Sequence, residues 1–162
     1  MNYEKKIIHV ENHNALIATI KLLNDLEKDS LNNKEFQSWC INTFANAANG
    51  MGEEDFIKYI WLWCNSNLKY KEDDFDETLI APKIIIHSDF LIGDCDDFSL
   101  LIKTILSFYG IKSNYILFAK EKGYYTHIAN IVDIKNKKIY IDGVSNEFNN
   151  FPYGKYNFYK II

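Results

Sequence analysis

Apolar residues recur at helical spacing in four segments of the chain. Residues 13–28 place Leu16, Ile17, Ile20, Leu23 and Leu26 on one stripe, the i, i+3, i+4 pattern of an amphipathic helix. Residues 34–48 do the same with Phe36, Trp39, Cys40, Phe44 and Ala47, before Asn49-Gly50-Met51-Gly52 interrupts the pattern. Residues 53–67 carry Phe56, Ile57, Ile60, Trp61 and Cys64 and open on Glu53-Glu54-Asp55. Acidic side chains there complement the positive end of a helix. The fourth helix is expected over 95–109, with Phe98, Leu101, Ile102, Ile105 and Tyr109 on its apolar face. Gly110 is placed to close it in the left-handed conformation.

The second half changes character. Residues 113–119, 124–134 and 138–144 are rich in β-branched and aromatic side chains and predict strands, with a further one at 156–162. Between the halves, 70–78 reads as a charged, solvated loop, followed by Pro82 and the apolar Ile84-Ile85-Ile86. Helices first and strands afterwards predict an α+β fold, an antiparallel sheet packed on helices. The 162 residues suggest one domain. Within it, residues 1–50 read as an added helical cap and 145–162 as an aromatic tail.

Composition narrows the function classes. Apolar residues make up 48% and aromatics 15% of the chain, so a packed core is expected and disorder is not. The net charge is −4 and arginine is absent. A basic stripe and guanidinium readout are therefore lacking, which argues against nucleic acid as a partner. No apolar run is long enough to span a membrane, and the N-terminus does not read as a secretory signal. A cytoplasmic protein is expected, in a compartment that keeps thiols reduced. Cys40, Cys64 and Cys95 are an odd number at long spacings, with no CxxC. That is neither a disulfide framework nor a zinc site, and no metal or organic cofactor is expected. The acidic run at 72–76 is too irregular for a calcium loop.

Cys95 differs from the other two thiols. Cys40 and Cys64 lie on apolar helical stripes and read as small core residues. Cys95 lies in Gly93-Asp94-Cys95-Asp96-Asp97, at the first turn of the fourth helix. Backbone N–H groups and the dipole favour an anion there, and thiol pKa values fall from about 8.5 to roughly 3.5–7.5 at such positions. Gly93 would permit a sharp turn and close approach of a substrate. Three neighbouring carboxylates oppose a thiolate, so they must turn away. Asp94 is placed to cap the helix, and Asp96 or Asp97 to bond first-turn N–H groups or a nearby loop.

A thiolate also needs a cation. Of the four histidines, His9 and His13 read as surface residues and His87 as a loop residue. His127 shares one strand face with Ala129 and Ile131, at the end of that row. Asp142 is the candidate to orient it. If Lys135-Asn136 forms a two-residue turn, Ile134 pairs with Lys137 and Asp142 lies opposite Ala129. His127 is then its diagonal neighbour, roughly 7–8 Å away along the backbone. A half-step shift of the turn puts Asp142 on the other face, and a full step separates it from His127 by about 14 Å. Asn136 at a position needing positive φ favours the first register.

Gly93-Asp94-Cys95-Asp96-Asp97, a helix ending Phe108-Tyr109-Gly110-Ile111, then His127 and Ile139-Tyr140-Ile141-Asp142 together resemble the transglutaminase-like superfamily of papain-fold cysteine enzymes. The resemblance covers about residues 54–144 and is most like small bacterial and tailed-phage members. It implies Cys95 as nucleophile, His127 as base, Asp142 as its orienting group, and acyl transfer through a thioester. The family's oxyanion site pairs the cysteine's own N–H with a second donor. His87, Ser88, Trp61 and Trp63 are the candidates here.

A peptidase or amidase acting on a protein or peptide is the leading expectation, with a cross-linking transglutaminase as its close alternative. A different class is a non-catalytic assembly module on a papain-like scaffold, virion-associated and bound to phage structural proteins. A redox thiol enzyme is disfavoured, because no second cysteine lies near Cys95 in sequence.

Overall fold

The computed structural model of the chain describes residues 6–8, 13–72, 77–87 and 91–162. Five helices and eight strands occur among them. The four expected helices form as α1 (His13–Leu31), α2 (Lys34–Gly50), α3 (Glu53–Asn67) and α5 (Cys95–Phe108), and a short α4 (Pro82–Ile85) takes up the apolar stretch after Pro82. Asn33 caps α2, its side chain accepting from the Phe36 N–H at 2.9 Å. Gly110 has φ +76° just beyond α5, the left-handed position its sequence context calls for.

The remaining strands are β1 (Lys6–Ile8), β2 (Lys69–Tyr70), β3 (Glu77–Leu79), β4 (Ile92–Gly93), β5 (Ser113–Glu121), β6 (Tyr124–Ile134), β7 (Lys137–Ile141) and β8 (Phe158–Ile161). Strands β5 to β8 form one antiparallel sheet in the order β7-β6-β5-β8. Its helix side presents Tyr115, Leu117, Ile128, Val132, Ile134, Ile139 and Ile141 to the helices. The opposite side carries Ile116, Phe118, Ala129, Ile131 and Tyr140, covered by Phe151 and Tyr156 of the tail. Because both faces are covered, β6 is buried continuously from Ile128 to Val132 instead of alternating.

Helix α5 is the centre of the molecule. From Asp96 to Leu106 only Lys103 escapes full burial, as expected of a helix packed on nearly every side. Within residues 1–50, read from sequence as an appended cap, α2 contributes to the same interior. Phe36, Cys40 and Phe44 of α2 join the core cluster that holds Ile105 and Val132. Strand β1 also breaks the purely helical reading of that region.

The charged stretch 70–78 is not simply a loop. Tyr70 pairs in parallel with Gly93, and Thr78 pairs with Ile7. Side-chain polarity is blind to such backbone pairing. Residues 73–76, His9 and Ser88 lie outside the described residues. No helix among the described residues is long and apolar enough to cross a membrane.

Candidate active site

The turn between β6 and β7 decides the register. Lys135 and Asn136 have φ of 46° and 68°, a pair of left-handed residues that matches a two-residue hairpin turn. Ile134 pairs with Lys137 and Asn130 with Ile141. Of the three registers considered, this is the one that carries Asp142 to the His127 side. β7 stops at Ile141, short of the expected residue 144, because Asp142-Gly143 turns toward α5. A Cβ on Gly143 would stand 3.0 Å from Phe98 Cβ and 3.1 Å from Ile102 Cδ1. A side chain here would press on the helix, so glycine lets the turn sit this close without displacing Phe98 or Ile102.

His127 Nε2 and Asp142 Oδ2 are 2.8 Å apart, each side chain 11% exposed. The same carboxylate oxygen accepts from the Tyr140 hydroxyl at 2.9 Å, while Oδ1 accepts from the Val144 N–H at 3.1 Å. The indole of Trp61 donates to the Asp142 carbonyl at 3.0 Å. Burial works to raise the Asp142 pKa, but the His127 hydrogen bond and charge, the Val144 N–H and the Tyr140 hydroxyl outweigh it. The net shift is downward. An ionised carboxylate accepts only, so the bond places a proton on His127 Nε2. In the neutral ring Nδ1 is then the basic nitrogen.

Tyr140 escaped the sequence reading as a site residue. Its signal was present: at two residues before Asp142, strand alternation puts both on one face. Burial, then the Asp142 carboxylate, keep its hydroxyl protonated and hence a donor.

Cys95 begins α5 and is partly exposed, whereas Cys40 and Cys64 are buried. Burial pushes the Cys40 thiol up to about 12 and that of Cys64 higher still. Asp94 caps the helix by accepting from the Asp96 N–H at 3.3 Å. Asp97 braces a neighbouring segment, its Oδ1 accepting from the Ile80 N–H at 2.6 Å. A Cβ on Gly93 would lie 2.6 Å from Asp97 Oδ2 and 2.7 Å from Asp97 Cβ, so the missing side chain makes room for Asp97. Asp94, Asp96 and Asp97 have ligand atoms within 4.8 Å of one another. Two of the three are engaged in this capping and bracing.

Two contacts dock the His127–Asp142 pair onto the start of α5. Ser99, one turn beyond Cys95, donates its hydroxyl to the Ile128 carbonyl at 3.1 Å, next to His127. Gly143, next to Asp142, packs on Phe98. The Cys95 sulfur is within electrostatic range of the Tyr140 hydroxyl, itself bonded to Asp142, and of exposed Tyr70.

Three of the four candidate second oxyanion donors have other contacts, and Ser88 lies outside the described residues. Trp61 is committed to the Asp142 carbonyl. Trp63 packs edge-on against Trp39 and Phe44. His87 stands 3.3 Å from Glu35.

No family model matches the chain, and no curated protein matches it. Solved structures do share its fold. A candidate cysteine protease from Cytophaga hutchinsonii superposes with a TM-score of 0.51 at 17% identity, covering 68% of this chain and 37% of that one. A candidate protease from Parabacteroides distasonis gives 0.56 at 14% identity, covering 78% and 26%. The chain thus spans 37% and 26% of the lengths of these two proteins. At such identities the likeness is one of fold: helices and a four-stranded antiparallel sheet, in an α+β architecture shared with two candidate proteases.

Proposed function

We propose that the chain is a cysteine-dependent acyl-transfer enzyme of papain-like, transglutaminase-like type, most at home as a peptidase or amidase. The observation that carries this reading is the 2.8 Å bond between His127 Nε2 and Asp142, on strands docked to the helix that Cys95 begins. The fold shared with candidate proteases supports hydrolysis over cross-linking.

In this reading His127 Nδ1 takes the Cys95 proton and the thiolate attacks an amide carbonyl carbon. The tetrahedral intermediate collapses, the C–N bond breaks, and His127 returns the proton to the leaving amine. Water then attacks the thioester, His127 accepting its proton. The C–S bond breaks, the acid departs and the thiol is restored. Asp142 fixes the ring and balances the imidazolium charge without itself taking the proton. First-turn N–H groups at the start of α5 face the developing oxyanion.

The test is the rate of Cys95 alkylation by iodoacetamide against pH, followed by mass spectrometry. The expected result is a thiol that titrates well below 8 and is slowed at neutral pH by His127→Ala. A Cys95 that reacts like an ordinary exposed thiol, indifferent to His127, would sink the proposal and favour a non-catalytic module. Amine incorporation into a glutamine peptide, measured beside peptide hydrolysis, separates transamidation from hydrolysis.

A further inference from the structure

The tail 145–162 matches nothing in the sequence-level resemblance, yet it reaches the site. Tyr156 lies nearly parallel to the His127 ring, at 6° between planes and 6.0 Å between centroids. Phe118, the cross-strand partner of His127, stacks on it at 6.0 Å and 29°. Phe118 and Tyr156 are themselves 5.2 Å apart. Three rings thus form a triangle, and two of them bound the imidazole, which is why its side chain is only 11% exposed.

Tyr156 is not there by chance of a loose tail. Its neighbour Asn157 donates its backbone N–H to the Ala119 carbonyl at 3.1 Å and its side-chain amide to the Lys120 carbonyl at 2.8 Å. Those carbonyls lie where the β5–β6 register shifts, between Phe118 and Glu121. A bulge re-aims neighbouring side chains and interrupts strand pairing. Here it meets the tail just beside the Phe118–His127 pair, and β8 continues the clamp by pairing with β5 from Ala119 back to Ile116.

We infer that Tyr156 is a positioning residue for His127: the tail, clamped at the β5 bulge, holds the imidazole plane and screens its bond to Asp142 from water. This rests on the proposed role of His127 as base. A hydrogen bond at Nε2 alone leaves the ring free to rock about that axis, and an aromatic wall removes the freedom. The charged and titratable groups of this cluster are Asp142 and, bonded to it, Tyr140 from the end of β7, and Tyr156 with Lys155 from the tail. The Lys155 ammonium sits 5.4 Å from the Tyr156 ring centre.

The experiment uses the full chain with Tyr156→Leu, Tyr156→Phe and Asn157→Ala. Two readouts are taken: the exchange rate with water of the His127 Nε2 proton by NMR, and the rate of Cys95 alkylation by iodoacetamide at pH 7. Tyr156→Leu is expected to speed proton exchange at least tenfold and to slow alkylation, by up to about a hundredfold if the ring is displaced by an ångström. Tyr156→Phe keeps the ring and is expected to rescue both. Asn157→Ala, which leaves the ring but loosens the clamp, moves both the same way by less, and it decides the matter if Tyr156→Leu does not fold. Equal exchange rates in wild type and Tyr156→Leu would overturn the inference. An inert wild-type Cys95 would instead overturn the proposed function, while proton exchange still reads the Tyr156 contact.

Discussion

The Ser99 hydroxyl donates to the Ile128 carbonyl at 3.1 Å in a fully buried setting. One partner lies a helical turn from Cys95 and the other is adjacent to His127. The bond therefore sets the height of the helix start against the strand that carries the imidazole. Ser99→Ala is expected to cost about 1 kcal/mol of stability. It should slow Cys95 alkylation by more than that loss alone explains, because the helix can then slide. Denaturant titration beside alkylation kinetics checks both. Unchanged kinetics with lowered stability would reduce the bond to a packing contact.

Gly93 and Gly143 make a graded pair. A methyl at Gly93 meets Asp97 at 2.6–2.7 Å, and one at Gly143 meets Phe98 and Ile102 at 3.0–3.1 Å. Gly93→Ala is expected to destabilise by roughly 1–3 kcal/mol, the usual cost of overpacking, and Gly143→Ala by less. Thermal melts of the two variants should rank in that order. The reverse order would mean that Asp97 moves aside freely, contrary to its bond with the Ile80 N–H.

Asp142 gives a pH prediction with a definite sign. Its native pKa is depressed by the groups that bond it. The unfolded chain therefore takes up a proton at higher pH than the native one. The stabilisation is fully present above about pH 4, the unperturbed carboxylate range, and is lost as pH falls through the lower native value. Tyr140→Phe removes one donor, so the acid limb of the stability curve should move toward higher pH. Asp142→Asn should abolish this contribution. An acid limb identical in all three proteins would exclude Asp142 as its source.

The buried thiols act at the other end of the scale. Cys40 and Cys64 have native pKa values raised by burial, that of Cys40 to about 12. The unfolded chain releases these protons near 9, so stability is complete below that value and falls as pH rises above it. Each thiol contributes a slope of about 1.4 kcal/mol per pH unit. Cys40→Ala and Cys64→Ala, though each leaves a cavity, should flatten the decline between pH 9 and 10. A slope unchanged in the double variant would assign it to other groups.

Much of this arrangement is legible in the sequence. Helix spacing identified α2, α3 and α5 to within two residues, because each buries a stripe and stripes follow the 3.6 period. Asn136 pointed to the hairpin turn, because few residues tolerate positive φ. The pairs β1–β3 and β2–β4 were not legible, since they join backbone to backbone across distant segments and leave no side-chain period. That Gly93 makes room for Asp97, four residues on, is not legible in the sequence, because only the helix geometry brings that side chain back. Trp61, one of four candidates for a second oxyanion donor, holds the Asp142 carbonyl instead, a contact spanning 81 positions.

By itself, then, the order of residues determined the long helices and the strands of the main sheet, which thiol starts a helix, and which imidazole and carboxylate could share a strand face. These are local properties, decided within a turn or a hairpin. Only the tertiary structure decided that Ser99 ties α5 to the strand of His127, that Tyr156 stacks beside its ring, and that the tail covers the face on which His127 lies. Those relations depend on how buried surfaces close on one another over long sequence separations, and no short-range pattern encodes that closure.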